Sequence, residues 1–221
     1  MKKRVVFFHT TFNTPGYMAK LFRERYPDAE LYNIVDDSIL QEVSANDCKY
    51  TPSIVRKLVH YGEAAEAIGA CVMVNMCTTL AEAVKCARNA MQIPFLCIDE
   101  PMLKEAVHAG KRIALIVTAA TTVVPSTLAV QAMIASEGVS GVTVDTIFVD
   151  GAFHAITVKM DKEEHDRLIR SAAEKAAKDH DVIVLAQVTM AGLKDQLEDL
   201  KLPILISPYS GLEQLSEYLV P

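Results

Sequence analysis

The stretch Cys71-Val72-Met73-Val74-Asn75-Met76-Cys77-Thr78-Thr79-Leu80 decides how this chain is read. It is entered from Gly69 and is followed by the helix-favouring run A-E-A-V-K-C-A-R over residues 81–88. A short, nearly continuous apolar run between a glycine and a helix is the pattern of a strand buried on both faces of a parallel sheet. The strand-to-helix junction then falls at Cys77, and open α/β sheets bind their ligands at such carboxyl ends. A thiol there feels the positive end of the helix, which lowers a cysteine pKa from its reference of about 8.5. The alternative for Cys77 is a small buried hydrophobe.

Working outward, R-V-V-F-F-H (Arg4–His9) reads as a first strand that breaks into the hydroxyl-rich loop T-T-F-N-T-P-G. A helix over Tyr17–Tyr26 and a strand over Ala29–Ile34 lead to an acidic loop at Asp36-Asp37-Ser38. Thr51-Pro52 is an N-cap followed by proline at the first helical position. The helix it opens carries Ile54, Val55, Leu58, Val59, Gly62 and Ala65 on one face and ends at Gly69. After the Cys77 junction come a helix through Ala90, a strand over Pro94–Ile98, and a short helix from Asp99 to about Ala109.

The chain then starts again. Lys111-Arg112-Ile113-Ala114-Leu115-Ile116-Val117-Thr118 resembles Lys3-Arg4-Val5-Val6-Phe7-Phe8-His9-Thr10, 108 residues earlier. Leu58-Val59 matches Leu168-Ile169 at 110, and Ile93-Pro94-Phe95-Leu96 matches Leu202-Pro203-Ile204-Leu205 at 109. The strand V-M-V-N-M-C matches I-V-L-A-Q, which puts Gln187 110 residues after Cys77. In the second half a helix over Asp161–His180, a strand over Val182–Ala186, a loop Gln187–Met190 and a helix over Gly192–Asp199 precede the strand Pro203–Ile206 and a last helix ending at Leu219. The fold class is therefore α/β, two similar doubly wound halves with parallel sheets. A pseudo-twofold arrangement of the halves puts the equivalent strand ends across an active-site cleft, Cys77 on one wall and Gln187 on the other. The halves are expected at residues 1–100 plus 208–221 and at residues 101–207.

Composition narrows the function classes. The chain has 221 residues, 51% hydrophobic and 23% charged, an ordinary globular balance. No apolar run reaches the roughly 18 residues of a membrane span, and the N-terminus soon turns polar, so a cytoplasmic location without membrane attachment is expected. A formal net charge of −6 without a basic stripe argues against nucleic acid and for a small-molecule partner. Cys48, Cys71, Cys77, Cys86 and Cys97 are odd in number and lack a C-x-x-C pair, so neither a disulfide framework nor a zinc site is expected. The six histidines show no ligand spacing, and the two commonest nucleotide signatures are missing. No metal and no cofactor are expected, which leaves the chemistry to side chains. His9, at the end of the first strand, has two readings, an acid or base and, the commoner one for a strand end, a histidine that hydrogen-bonds its loop.

Taken together, these residues resemble the aspartate/glutamate/hydantoin racemase superfamily, with maleate isomerase and arylmalonate decarboxylase. The resemblance rests on two α/β halves, C-T-T after the third strand of the first, and D-V-I-V-L-A-Q-V-T-M-A-G-L in the place of a second cysteine segment. V-T-A-A-T, with Thr118 and Thr121, looks like the family's G-T-x-x-T carboxylate loop, with Val117 where glycine is usual. Thr10, Thr11 and Asn13 lie where the first-half loop of that fold lines the cleft. The resemblance implies a cofactor-independent enzyme acting on a small carboxylate, assembled as a homodimer or higher homo-oligomer. It implies catalysis by Cys77 with Gln187, and substrate binding by Thr10, Thr11, Asn13, Thr78, Thr79, Thr118, Thr121 and Thr189. For the threonines, helix capping is the competing role.

The departure is Gln187. Two-base racemisation needs an acid-base group on each face of the reacting carbon. Glutamine has no proton to exchange in that way. The expected reaction is isomerisation through one cysteine, with a non-catalytic small-acid binder or a decarboxylase of malonate-type acids as alternatives.

Overall fold

The computed structural model describes residues 2–220. The chain divides into two compact units, one running to Ile98 and resumed from Tyr209, the other spanning Asp99–Pro208.

The first unit contains β1 (Arg4–His9), α1 (Pro15–Arg25), β2 (Glu30–Val35), α2 (Ser38–Ala45), α3 (Pro52–Ala67), β3 (Val72–Asn75), α4 (Ala81–Arg88) and β4 (Phe95–Cys97). Its sheet has the order β2-β1-β3-β4, with every pairing parallel. β3 is buried along its whole length, as its unbroken apolar run requires. α3 forms as its sequence predicts. The Thr51 hydroxyl accepts the Ile54 N–H at 3.3 Å, Pro52 occupies the first turn, and Ile54, Leu58, Gly62 and Ala65 form the buried face. Gly69 follows at φ +73°, a left-handed conformation that suits glycine. α3 and α4 cover the sheet through a core that includes Val6, Phe8, Leu58, Met73 and Val84, with Tyr61 stacked on Phe8.

The second unit contains α5 (Glu100–Ala109), β5 (Arg112–Val117), α6 (Ala120–Ser136), β6 (Thr143–Phe148), α7 (Ala152–Thr157), α8 (Lys162–Ala176), β7 (Val182–Leu185) and β8 (Ile204–Ile206). Its order, β6-β5-β7-β8, repeats that of the first, again all parallel. α9 (Ser207–Glu213) and α10 (Ser216–Leu219) follow, and from Tyr209 the chain is back in the first unit. There Gly211 approaches so closely that an added Cβ would stand 2.1 Å from the Ile98 carbonyl oxygen.

Three expectations are corrected. The acidic loop ends at Asp37: Ser38 already belongs to α2, which forms because Ile39 and Val43, one turn apart, are both buried. The predicted helix over Gly192–Asp199 is replaced by two 3-10 segments, Val188–Leu193 and Asp195–Leu200. The helix expected over Asp161–His180 is shorter, α8 running over Lys162–Ala176 with His165, Ile169, Ala173 and Ala176 as its buried residues. Among the described residues, no helix is long and apolar enough to cross a membrane.

Candidate active site

In the order β2-β1-β3-β4 the chain leaves β1 in one direction and returns on its other side, so the topological switch lies between β1 and β3. Open α/β sheets bind their ligands in the crevice beyond the carboxyl ends of such strands. Phe8 pairs with Asn75 across these strands, and two residues further on stand Thr10 and Cys77. The second unit repeats the arrangement: Ile116 pairs with Leu185, and two residues further on stand Thr118 and Gln187.

Cys77 is half-buried, in extended conformation at φ −128° and ψ 107°. The helix does not begin directly behind it. A single 3-10 turn, Thr78–Leu80, intervenes before α4, with the Leu80 N–H donating to the Cys77 carbonyl at 3.0 Å. The backbone of Cys77 is fixed by a residue the sequence reading passed over. Asn75 is 1% exposed, accepts the Cys77 N–H on its Oδ1 at 3.1 Å and donates from its Nδ2 to the Cys77 carbonyl at 2.8 Å. The same amide lies 3.7 Å from the Cys97 Sγ. An asparagine inside a buried apolar strand has to satisfy its amide, and here it does so on the backbone that carries the thiol. The sequence signal was this one polar residue in V-M-V-N-M-C. Its counterpart across the repeat, two residues before Gln187, is Leu185, so the clamp belongs to the thiol-bearing half alone.

The second strand end is held differently. The Gln187 Oε1 accepts both the Thr118 N–H at 2.6 Å and the Thr118 hydroxyl at 2.8 Å. Gln187 and Thr118 are thus brought together, with Thr118 buried. Thr121 lies half-buried in the first turn of α6.

Thr10, Thr11 and Asn13 occupy the β1–α1 loop: Thr10 is buried, Thr11 half-buried and Asn13 exposed. Among the described residues, Thr10 makes no hydrogen bond through its side chain. The loop is anchored by His9, which is 0% exposed, with Nδ1 2.8 Å from the Thr14 hydroxyl and Nε2 3.1 Å from the Asn33 Oδ1. The Asn33 oxygen needs a donor, so the proton sits on Nε2 and the Thr14 hydroxyl donates to Nδ1. His9 is therefore a loop anchor, as the sequence suggested.

Thr78 and Thr79 lie in the 3-10 turn after Cys77, and Thr189 in the segment after Gln187. The buried hydroxyls of Thr79 and Thr189, each two residues past its strand-end residue, have no hydrogen-bond partner among the described residues. Capping does not account for the threonines here, because neither α4 nor α6 receives a side-chain cap. The strand ends of the first unit present a thiol and hydroxyls, and those of the second an amide and hydroxyls. Each set is suited to an anionic oxygen, and the first also to a nucleophile or acid. Among the described residues, no group of three or more His, Cys, Asp or Glu side chains is placed to hold a metal ion.

Burial pushes the His9 pKa from 6.5 down to about 4, against a smaller opposing effect of the Asn33 bond. A pKa lower in the folded state gives stability that is complete above pH 6.5 and is lost as pH falls toward 4, where only the unfolded chain takes the proton. The loss should approach about 3 kcal/mol across that window. Denaturant unfolding at pH 7 and pH 4.5 should show it in the parent, and His9→Gln should remove this part of the pH dependence.

The sequence matches the Asp/Glu/hydantoin racemase family model over residues 14–215. No curated protein matches it. Among solved structures, Picrophilus torridus aspartate racemase superposes with a TM-score of 0.74 at 13% identity, over 98% of this chain and 94% of that one. Allantoin racemase from Klebsiella pneumoniae gives 0.67 at 15% identity, over 98% and 87%. Glutamate racemase from Aquifex pyrophilus gives 0.66 at 18%, over 97% and 83%. At these identities the superpositions speak for the fold, whereas the family match covers most of the sequence: the chain belongs to the Asp/Glu/hydantoin racemase family.

Proposed function

We propose that this protein is a cofactor-independent isomerase of its family that acts on a small carboxylate through one thiol, that of Cys77. The observation that supports this reading most is the unequal pair of strand ends: Cys77 after β3, and at the repeat-equivalent place after β7 the non-titrating Gln187. A thiolate and an amide cannot exchange protons on two faces of one carbon. One thiol suffices to isomerise an unsaturated diacid. The Cys77 sulfur adds to one carbon of the double bond, and the electron pair moves into the adjacent carboxylate as an enolate. Rotation about the resulting single bond and expulsion of the thiolate then return the double bond in the other geometry, with no net proton transfer. The N–H and hydroxyl of Thr10, in register beside Cys77, are the donors for the enolate oxygen.

Iodoacetamide labelling read by mass spectrometry tests this. Maleate should slow alkylation of Cys77 and leave that of the exposed Cys86 unchanged. Unslowed labelling of Cys77, in a protein that converts no small dicarboxylate, would sink the proposal. Protection without conversion would favour the small-acid binder.

A further inference from the structure

The Thr118 N–H can only donate, so the Gln187 atom 2.6 Å from it must be the amide oxygen. The Thr118 hydroxyl, 2.8 Å from the same atom, holds it from a second direction. The orientation of the amide is therefore fixed. Its Nε2 carries two N–H donors, hydrogen-bonds to nothing in the protein among the described residues, and is not among the buried unsatisfied atoms. A side chain that could in principle either donate or accept has become a donor only. Thr118, which resemblance made a substrate ligand, has both its donors engaged by Gln187. In the first unit the register-equivalent Thr10 makes no such side-chain bond.

We infer that Gln187 is a one-way hydrogen-bond donor, oriented by Thr118, that selects ligands presenting an acceptor oxygen to the end of β7. Thr118 is then a positioning residue. The inference rests on the proposed small-carboxylate reading and adds the polarity of one contact. It also accounts for the missing second cysteine: the second strand end recognises the acid and takes no part in proton transfer.

The test separates affinity from stability. Gln187→Glu keeps an acceptor for both Thr118 donors but, when ionised, turns an oxygen toward the ligand. Gln187→Met keeps the length and loses both functions. Calorimetric titration of the full chain with maleate and with L-aspartate at pH 7.5, beside thermal unfolding, should give opposite rankings. Gln187→Glu should unfold at nearly the parent temperature yet bind worst, weaker by on the order of a hundredfold. Gln187→Met should unfold earlier and bind weaker by on the order of tenfold. Thr118→Val should weaken binding severalfold, and Thr118→Ser should restore it. Binding by Gln187→Glu within about twofold of the parent, while Cys77 remains protected by the acid, overturns the inference and leaves the single-thiol reading standing. Failure of both acids to bind the parent overturns both.

Discussion

Cys77→Ser should reduce turnover of any acid the protein converts by roughly 10²–10⁴-fold, with little change in stability. The bonds from Asn75 reach the backbone of residue 77, so a serine would be held in the same place, one atom different. A hydroxyl is not appreciably ionised near neutrality, whereas a thiol has a reference pKa of about 8.5, and the thiolate is the nucleophile. Binding of such an acid, for which the proposed donors are hydroxyls and N–H groups, should survive. The expected signature is a fall in kcat with KM nearly unchanged, the mark of an interaction made in the transition state. A variant that keeps most of the parent rate would remove Cys77 from the chemistry.

Much of the fold was legible because the repeat is written in residues that strands and helices require. Lys3–Thr10 and Lys111–Thr118 set the two central strands β1 and β5, and Thr51-Pro52 set the start of α3. Two similar parallel sheets could then be read, whereas their strand order comes from the structure. α2 was missed because Asp36, Asp37 and Ser38 carry strong turn chemistry, which hid the apolar spacing of Ile39 and Val43 behind it. The Cys77 junction was placed correctly at the end of β3, but its helix was started one turn too early, since Thr78–Leu80 closes as a 3-10 turn.

The candidate residues could be named from the chain, but what each one bonds to could not. Thr118 and Gln187 lie 69 residues apart, and only the pairing of β5 with β7 brings them together. The resemblance therefore pointed to Thr118 as a carboxylate ligand, whereas its donors are engaged within the protein. Asn75 was legible as a polar residue in an apolar strand, yet its reach to both backbone groups of Cys77 depends on the turn that follows. The His9 anchor shows the opposite case. A strand-end histidine bonding its loop was the plain expectation; Nδ1 does so through Thr14, while Nε2 reaches Asn33 in β2.

Gln187→Cys should change the reaction itself. The substitution puts a second thiol at the strand end equivalent to that of Cys77. It also releases the Thr118 N–H and hydroxyl, which then become donors for a carboxylate oxygen as the family loop implies. On the proposed reading the new thiol supplies the missing acid-base group, and a positioned acid-base group contributes typically 10²–10⁴-fold. Inversion of a saturated α-amino acid, negligible in the parent, should rise by at least about a hundredfold. Losing the Thr118–Gln187 bonds should cost only about 1–2 kcal/mol of stability, so the variant remains folded for assay.

The most direct measurement incubates L-aspartate in D2O with the parent and with Gln187→Cys, and follows the α-proton and the enantiomer ratio by NMR and chiral chromatography. The parent should leave the enantiomer unchanged, while the variant should form D-aspartate carrying deuterium at the α-carbon. Inversion by the parent at the rate of the variant would contradict the single-thiol account.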